Sequence, residues 1–427
     1  MNKLATAFVS LAVLLGAAVL AAPAEASTAG TGALKFGMDA QSVSKQSAAG
    51  AKPDYGTLWI GPWTLTTGWA GPNAELLKLK NAGVTPVVHL YYWGDDISPS
   101  CIESGCWSSL HKTQKTQAGW QKLTDQLGAN LRATMGGKPV VVILETEFNK
   151  ANMNGYETFD GQLATKAKQV RAAYPAAQVV LGLGNWNSAA WGTWDRAAAA
   201  SDMIGLQGMR GSTRDSTTSA YGLYEATLAG AKAAQTKFGK PVFITDIAVS
   251  SYPTSTWAAI QESVIKEFFA NLGPLKAAGV RALVYRAWVD DPTMDLANYY
   301  GTAERHWGFV TSAGVQKATA KAWVSGVQKE RASPATGGTT ATTTTGTFTA
   351  TFTPTSKGND WWLETKVSST QTVTKVDARV NGGAWTSLPK TSYGTWAKSV
   401  HAPDGAKVEF RATSSTGAVS NVQAFTW

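Results

Sequence analysis

Eight times between Leu34 and Trp288 a short β-rich run gives way to a longer segment with helical character. The runs are "LKFGMDA", "TLWIGPW", "TPVVHLYYW", "PVVVILETEF", "QVVLGLGNW", "MIGLQGMRG", "PVFITDIAV" and "RALVYRAW". Between them lie helix candidates such as "NAELLKLKNAG", "AGWQKLTDQLGANLRATMGG", "FDGQLATKAKQVRAAYP" and "STWAAIQESVIKEFFANLGPLKAAG". A strand followed by a helical crossover makes its next neighbour parallel, with the helices packed outside the sheet. Eight such units in roughly 300 residues predict an α/β fold, a closed (β/α)8 barrel. The alternative is a doubly wound open sheet. A dinucleotide-binding version of it lacks its fingerprint, because "MDAQSVSKQS" follows the first strand where a glycine-rich turn belongs.

The chain around this body divides by composition. "SPATGGTTATTTTG", Ser333 to Gly346, has no apolar periodicity and reads as a flexible linker. Thr347 to Trp427 is a series of short alternating runs with turn signals at Asn381-Gly382 and Asp404-Gly405, which predicts a small all-β sandwich. Residues 1–26 carry a basic Lys3, an apolar stretch and Ala24-Glu25-Ala26, the pattern of a secretory signal peptide; an N-terminal membrane anchor is the alternative. The expected plan is thus a signal at 1–26, a barrel at 27–332, a linker at 333–346 and a sandwich at 347–427. No other segment is long and apolar enough to span a bilayer, so the mature chain is expected outside the cell and free of the membrane. Cys101 and Cys106, the only two cysteines, suit a disulfide in an oxidising compartment. The net charge is +9, and cleavage after Ala26 removes Lys3 and Glu25 together and leaves it unchanged. The basic residues are scattered and no nucleic-acid motif accompanies them, so no nucleic-acid partner is expected.

In a parallel barrel the chemistry sits at the C-terminal ends of the strands. Read in order, those ends offer Asp39; then His89, Tyr91, Trp93, Asp95 and Asp96; then Glu145 and Glu147; then Asn185 and Trp186; then Gln207 and Arg210; then Asp246; and last Tyr285, Arg286, Trp288 and Asp290. Carboxylates, amides and aromatics at one rim suit a sugar, whose faces stack on rings and whose hydroxyls bond to polar groups. Strands four and seven face each other across an eight-stranded barrel, so Glu147 or Glu145 can oppose Asp246 as the two carboxyl groups of glycoside hydrolysis. Strand alternation puts Glu145 and Glu147 on one side, where their repulsion raises one pKa and suits an acid near neutral pH. A metal-dependent alternative would use His89 with Asp39 and Glu145. It finds no completed ligand set in a chain with four histidines, and neither metal nor cofactor is expected.

The body resembles the superfamily of TIM-barrel glycoside hydrolases with an acid/base on strand four and a nucleophile on strand seven. Three segments carry the resemblance: "VILETEFNK", "PVFITDIAVSS" and "ERHWGFVTSAGVQKATAKAW". The match implies Glu147 as general acid and Asp246 as nucleophile or base, with Glu145 tuning the pair or standing in for Glu147. It departs from the family pattern in two places: Thr146 stands where Asn usually precedes the acid, and strand seven carries Asp instead of Glu. The shorter Asp246 side chain retracts from the sugar, which points to inversion. The tail resembles the carbohydrate-binding β-sandwich modules of secreted polysaccharide hydrolases. Trp361, Trp362, Trp385, Tyr393 and Trp396 are too many large aromatics for so small a core to hide. One or two, drawn from Trp361, Trp362, Trp385 and Trp396, are therefore expected on a binding face, with an Ig-like spacer as the alternative. The expectation is a secreted, monomeric polysaccharide hydrolase. A non-catalytic sugar- or wall-binding protein on the same scaffold is the alternative.

Overall fold

The computed structural model describes residues 33–332, 348–355, 363–381, 385–391, 394–398, 400–403, 405–415 and 418–427. The expected signal and linker lie outside these residues, as do Trp361, Trp362 and Tyr393. Two compact units divide the chain, Met1–Gly337 and Gly338–Trp427.

In the first unit eight strands form a closed, wholly parallel barrel: β1 (Lys35–Asp39), β2 (Tyr55–Ile60), β3 (Thr85–Leu90), β4 (Val140–Leu144), β5 (Ala177–Gly184), β6 (Met203–Arg210), β7 (Val242–Val249) and β8 (Val280–Tyr285). Each pairs with its sequence neighbours and β8 closes on β1. Each is followed by a helix: α1 (Val43–Ala48), α2 (Ala70–Ala82), α3 (Gln117–Met135), α4 (Glu157–Ala173), α5 (Asp195–Ala200), α6 (Leu223–Phe238), α7 (Thr254–Ala270) and α8 (Ala318–Ala332). All eight expected strands are present, in the expected order.

Local chemistry explains the elements. Strand β4 is five apolar residues buried on both faces. Val141 and Ile143 join Tyr55, Val87, Val180, Phe243 and Val284 in the core inside the barrel, while Val140, Val142 and Leu144 face the helices. Helix α3 begins where the Thr116 side chain accepts the Gly119 N–H and ends at Gly136, whose φ of 59° is left-handed. Its buried Trp120, Leu123, Leu127 and Leu131 form one stripe against the sheet.

Two irregularities set the active end. Strand β4 stops at Leu144, and Glu145 and Glu147 take left-handed backbone, with φ of 46° and 64°. Each such glutamate costs on the order of 1–3 kcal/mol, strain that a fold keeps where geometry is over-determined. Gly182 of β5 makes the turn possible: a Cβ there would lie 2.9 Å from Thr146 Cα, and its carbonyl accepts the Glu147 N–H at 3.0 Å. Strand β7 carries the second irregularity. Against β6, Leu206 pairs with Ile244 and Gln207 with Asp246, so Thr245 is an extra residue, and β7 is likewise one residue longer than β8 over the same stretch. Alternation from the inward Phe243 would turn Asp246 outward; the bulge brings it level with Gln207 instead.

The second unit holds two antiparallel sheets. One orders β9 (Ala350–Pro354), β10 (Leu363–Ser369) and β13 (Trp396–Lys398). The other orders β12 (Thr386–Leu388), β11 (Val373–Val380), β14 (Lys407–Ser414) and β15 (Gln423–Thr426). Phe352, Leu363 and Trp396 from the first share one core with Val376, Val408 and Phe410 from the second, which makes a small sandwich.

Candidate active site

Glu147 stands at the barrel mouth, half-buried, and among the described residues no donor is hydrogen-bonded to its carboxyl. Burial pushes its pKa up to about 7, and Asp95 and Asp246 push the same way while Lys150 and Arg286 oppose them. Asp95 is itself paired to Lys150 at 2.6 Å. Glu147 is thus a carboxylic acid that keeps its proton close to neutrality, the state a proton donor needs.

Asp246 is buried, and burial raises its pKa against the pull of Arg286. Its Oδ2 accepts from Arg286 Nη1 at 2.8 Å, and its buried Oδ1 has no partner among the described residues. Arg286, just past β8, also lies 4.0 Å from Glu304 and 5.5 Å above the ring of Trp59. Trp59, half-buried on β2, stacks on His89 at 4.0 Å and meets Tyr91 edge-on at 5.5 Å. His89 bonds Thr146 through Nδ1 at 3.0 Å, and burial with the Arg286 charge lowers its pKa to about 3, so the ring is neutral. Burial raises the Tyr91 hydroxyl well above its usual range, with Glu147 and Asp95 adding to it. Tyr300 also feels Glu147 and donates to the Met209 carbonyl at 2.9 Å. One mouth therefore gathers Glu147, Asp246, Arg286, Tyr91, His89 and Gln207, whose Oε1 has no partner among the described residues. Trp59, Asp95, Glu304 and Tyr300 complete it.

Several expected site residues have other work. The strand alternation that would align Glu145 with Glu147 ends at Leu144, and Glu145 is not among the main charges acting on Glu147. Its buried carboxylate instead accepts the backbone N–H groups of Tyr92, at 3.1 and 3.3 Å, and Trp93, at 3.0 Å, and so fixes the chain leaving β3. Trp93 is wholly buried against Tyr92 and Trp120. Trp288 packs its ring on Phe309 and donates its backbone N–H to Asp39, whose other oxygen accepts the Ser42 backbone N–H. The Tyr285 hydroxyl is held by Val249, Trp307 and Gln261. Asn185 turns outward to the Ala226 carbonyl of α6, and Arg210 bonds to the carbonyls of Met209 and Ser219. Trp186 is exposed, laid over Gly184, with its indole N–H on the Asn149 carbonyl. Asp39, His89 and Glu145 are thus engaged with separate partners, and among the described residues no three His, Cys, Asp or Glu side chains group as metal ligands.

Sequence reasoning missed Trp59, Glu304 and Tyr300 as parts of this mouth. Trp59 sits inside an apolar strand, where an indole reads as core. Glu304 and Tyr300 come from the segment after β8, which no periodicity places.

Cys101 and Cys106 are disulfide-bonded, bracing the segment between β3 and α3. There Lys115, fully buried, pairs with Asp96 at 2.7 Å and donates to the Trp93 carbonyl at 2.5 Å.

In the sandwich Trp396 fills the core instead of forming a face. Trp385 is half-buried against two guanidinium groups, those of Arg379 and Arg411.

Solved structures of low sequence identity resemble the chain. The exo-β-1,4-mannosidase Op5Man5 from Opitutaceae bacterium strain TAV5 matches with a TM-score of 0.50 at 14% identity, over 70% of this chain and 60% of that one. A GH5_18 protein from Bifidobacterium longum subsp. infantis gives 0.49 at 12%, over 70% and 79%. The endo-β-1,4-mannanase from Thermotoga petrophila gives 0.48 at 10%, over 93% and 98%. At such identities the likeness concerns the fold alone. No family model and no curated protein matches the chain.

Proposed function

We propose that the protein is a secreted glycoside hydrolase that cleaves a polysaccharide, with Glu147 as general acid and Asp246 as the opposing carboxylate. The observation that carries this reading is Glu147 itself: a strained, half-buried carboxyl with a pKa near 7, in the same barrel mouth as Asp246. Protonated Glu147 donates to the leaving glycosidic oxygen, while ionised Asp246 attacks the anomeric carbon or activates a water. Trp59 and Tyr91 supply ring surface for a sugar, and the free oxygens of Gln207 and Asp246 can accept its hydroxyls. The tail acts as a polysaccharide-binding module that keeps the barrel near its polymer.

The test is release of reducing ends from a panel of bacterial, fungal and plant polysaccharides, β-mannan among them, by the wild type and by Glu147→Gln and Asp246→Asn. Product from the wild type and none above background from either variant supports the assignment. Equal release by all three removes it. A second reading, a sugar-binding protein without turnover, draws on the Arg286 ion pair that occupies one oxygen of Asp246. It expects saturable binding by all three proteins and no product from any.

A further inference from the structure

The outer face of the four-stranded sheet is a ladder of charge. On β11 the residues facing away from the core are Lys375, Asp377 and Arg379, alternating with Val376, Ala378 and Val380. On β14 they are Lys407, Glu409 and Arg411, alternating with Val408, Phe410 and Ala412. Asp377 pairs in register with Arg411 and Arg379 with Glu409. Each carboxylate serves two cations: Asp377 meets Lys375 at 2.9 Å and Arg411 at 3.2 Å, and Glu409 meets Arg379 at 2.8 Å and Lys407 at 3.1 Å. Four cations thus share two anions, so the ladder keeps a net positive charge. The carboxylates are buried under it while both lysines are more than half exposed.

The arginines are held in a particular way. Each bonds its carboxylate through Nε, and among the described residues no Nη of either has a hydrogen-bond partner. Both guanidiniums lie against the same indole ring, Arg379 at 4.5 Å and Arg411 at 4.3 Å from the Trp385 centroid. They are therefore no further apart than the sum of those two distances. Stacking and the Nε bond fix each planar fork and leave its terminal N–H pair available, the arrangement that binds carboxylate or phosphate bidentately.

We propose that this face, with Arg379 and Arg411 as paired forks beside Trp385 and with Lys375 and Lys407 flanking them, binds an anionic polysaccharide through carboxylate or phosphate groups repeated along its chain. The proposal rests on the reading of the tail as a polysaccharide-binding module and names the chemistry of its ligand. It replaces aromatic stacking on a neutral sugar by recognition of charge.

The test uses the full chain in affinity electrophoresis through gels containing polygalacturonate, poly(glycerol phosphate) or a neutral β-glucan, at low and high ionic strength. Retardation by a polyanion at low salt, relieved at high salt, is expected; which polyanion retards more tells carboxylate from phosphate. Arg379→Gln/Arg411→Gln should weaken retardation on the order of tenfold or more, two charge-assisted contacts being lost. Because those arginines cover buried carboxylates, Lys375→Gln/Lys407→Gln, at exposed positions, is the second variant. It should keep the near-UV circular dichroism of the wild type and weaken polyanion retardation several-fold. Retardation unchanged in both variants would place the binding elsewhere on this basic chain and overturn the proposal. Retardation by the neutral glucan alone overturns it too but leaves the module reading standing, whereas no retardation in any gel ends both. Turnover of a soluble substrate by the barrel is unaffected by any of these outcomes.

Discussion

Glu147 and Glu145 are two residues apart, and burial pushes both to about pH 7, yet they predict different behaviour. Glu147 works as an acid only while protonated, so turnover should hold below pH 7 and fall as pH rises through it. Glu147→Gln should lower kcat on the order of 10²–10⁴-fold and abolish that alkaline limb. A full pH profile of kcat decides it; a limb that persists in the variant belongs to another group. Glu145→Gln should leave the limb in place, since burial, Asp95, Lys150, Arg286 and Asp246 are the main influences on Glu147. Its effect is on stability. Glu145→Ala leaves the Tyr92 and Trp93 N–H groups buried and unbonded, a loss of about 2–4 kcal/mol by urea denaturation. The sign with pH follows from linkage. Between its ordinary 4.5 and about 7 the folded chain holds a proton at Glu145 that the unfolded chain has released, so this group makes stability fall as pH rises across that window. Glu145→Gln should make the slope shallower, read as denaturation midpoints from pH 4 to 8.

At the scale of elements, β7 and β8 decide what Asp246 can do. The bulge at Thr245 turns it into the mouth, and Arg286, one residue beyond β8, sets its ionisation. The guanidinium lowers a pKa that burial raises. Asp246 must be ionised to attack or to act as base, so Arg286→Met should move the acidic limb of kcat/KM to higher pH, with little movement of the alkaline limb set mainly by the burial of Glu147. An unmoved acidic limb would mean that Asp246 is not the ionised partner. These elements also mark where sequence reading stops. All eight strands were legible because each is a short apolar run followed by a helical stretch. A bulge leaves no trace in an apolar run: "PVFITDIAV" reads as uniform alternation, so Asp246 was placed at a strand end although β7 runs on to Val249. The pairing of Glu145 with Glu147 failed for a related reason, because alternation was carried past Leu144 into left-handed backbone. Trp93 and Trp288 were expected at the mouth because an indole beyond a strand suits a sugar equally well as a core, and only packing separates the two.

For the whole molecule, the division at Gly337–Gly338 leaves each unit with its own core: layers within and around the barrel in the first, a single layer between two sheets in the second. Among the described residues the buried clusters of the two units share no member, as expected of units that fold independently. A chain ending at Ala332 keeps α8 and with it Trp323, which packs on Phe36 of β1 and on Tyr285 of β8 and seals the barrel where its first and last strands meet. That chain should therefore fold, unfold in one cooperative transition, and turn over a short soluble substrate with kcat and KM within about twofold of the full protein. On the polymer it should lose efficiency, because the tether no longer raises the local concentration of barrel at the surface, and the deficit should shrink as polymer concentration rises. Kinetics on matched short and polymeric substrates separate the possibilities. A deficit equal on both substrates would make the tail a structural part of the barrel. A deficit on the polymer that persists at saturating concentration would give the tail a share in positioning the scissile bond as well as in holding the chain.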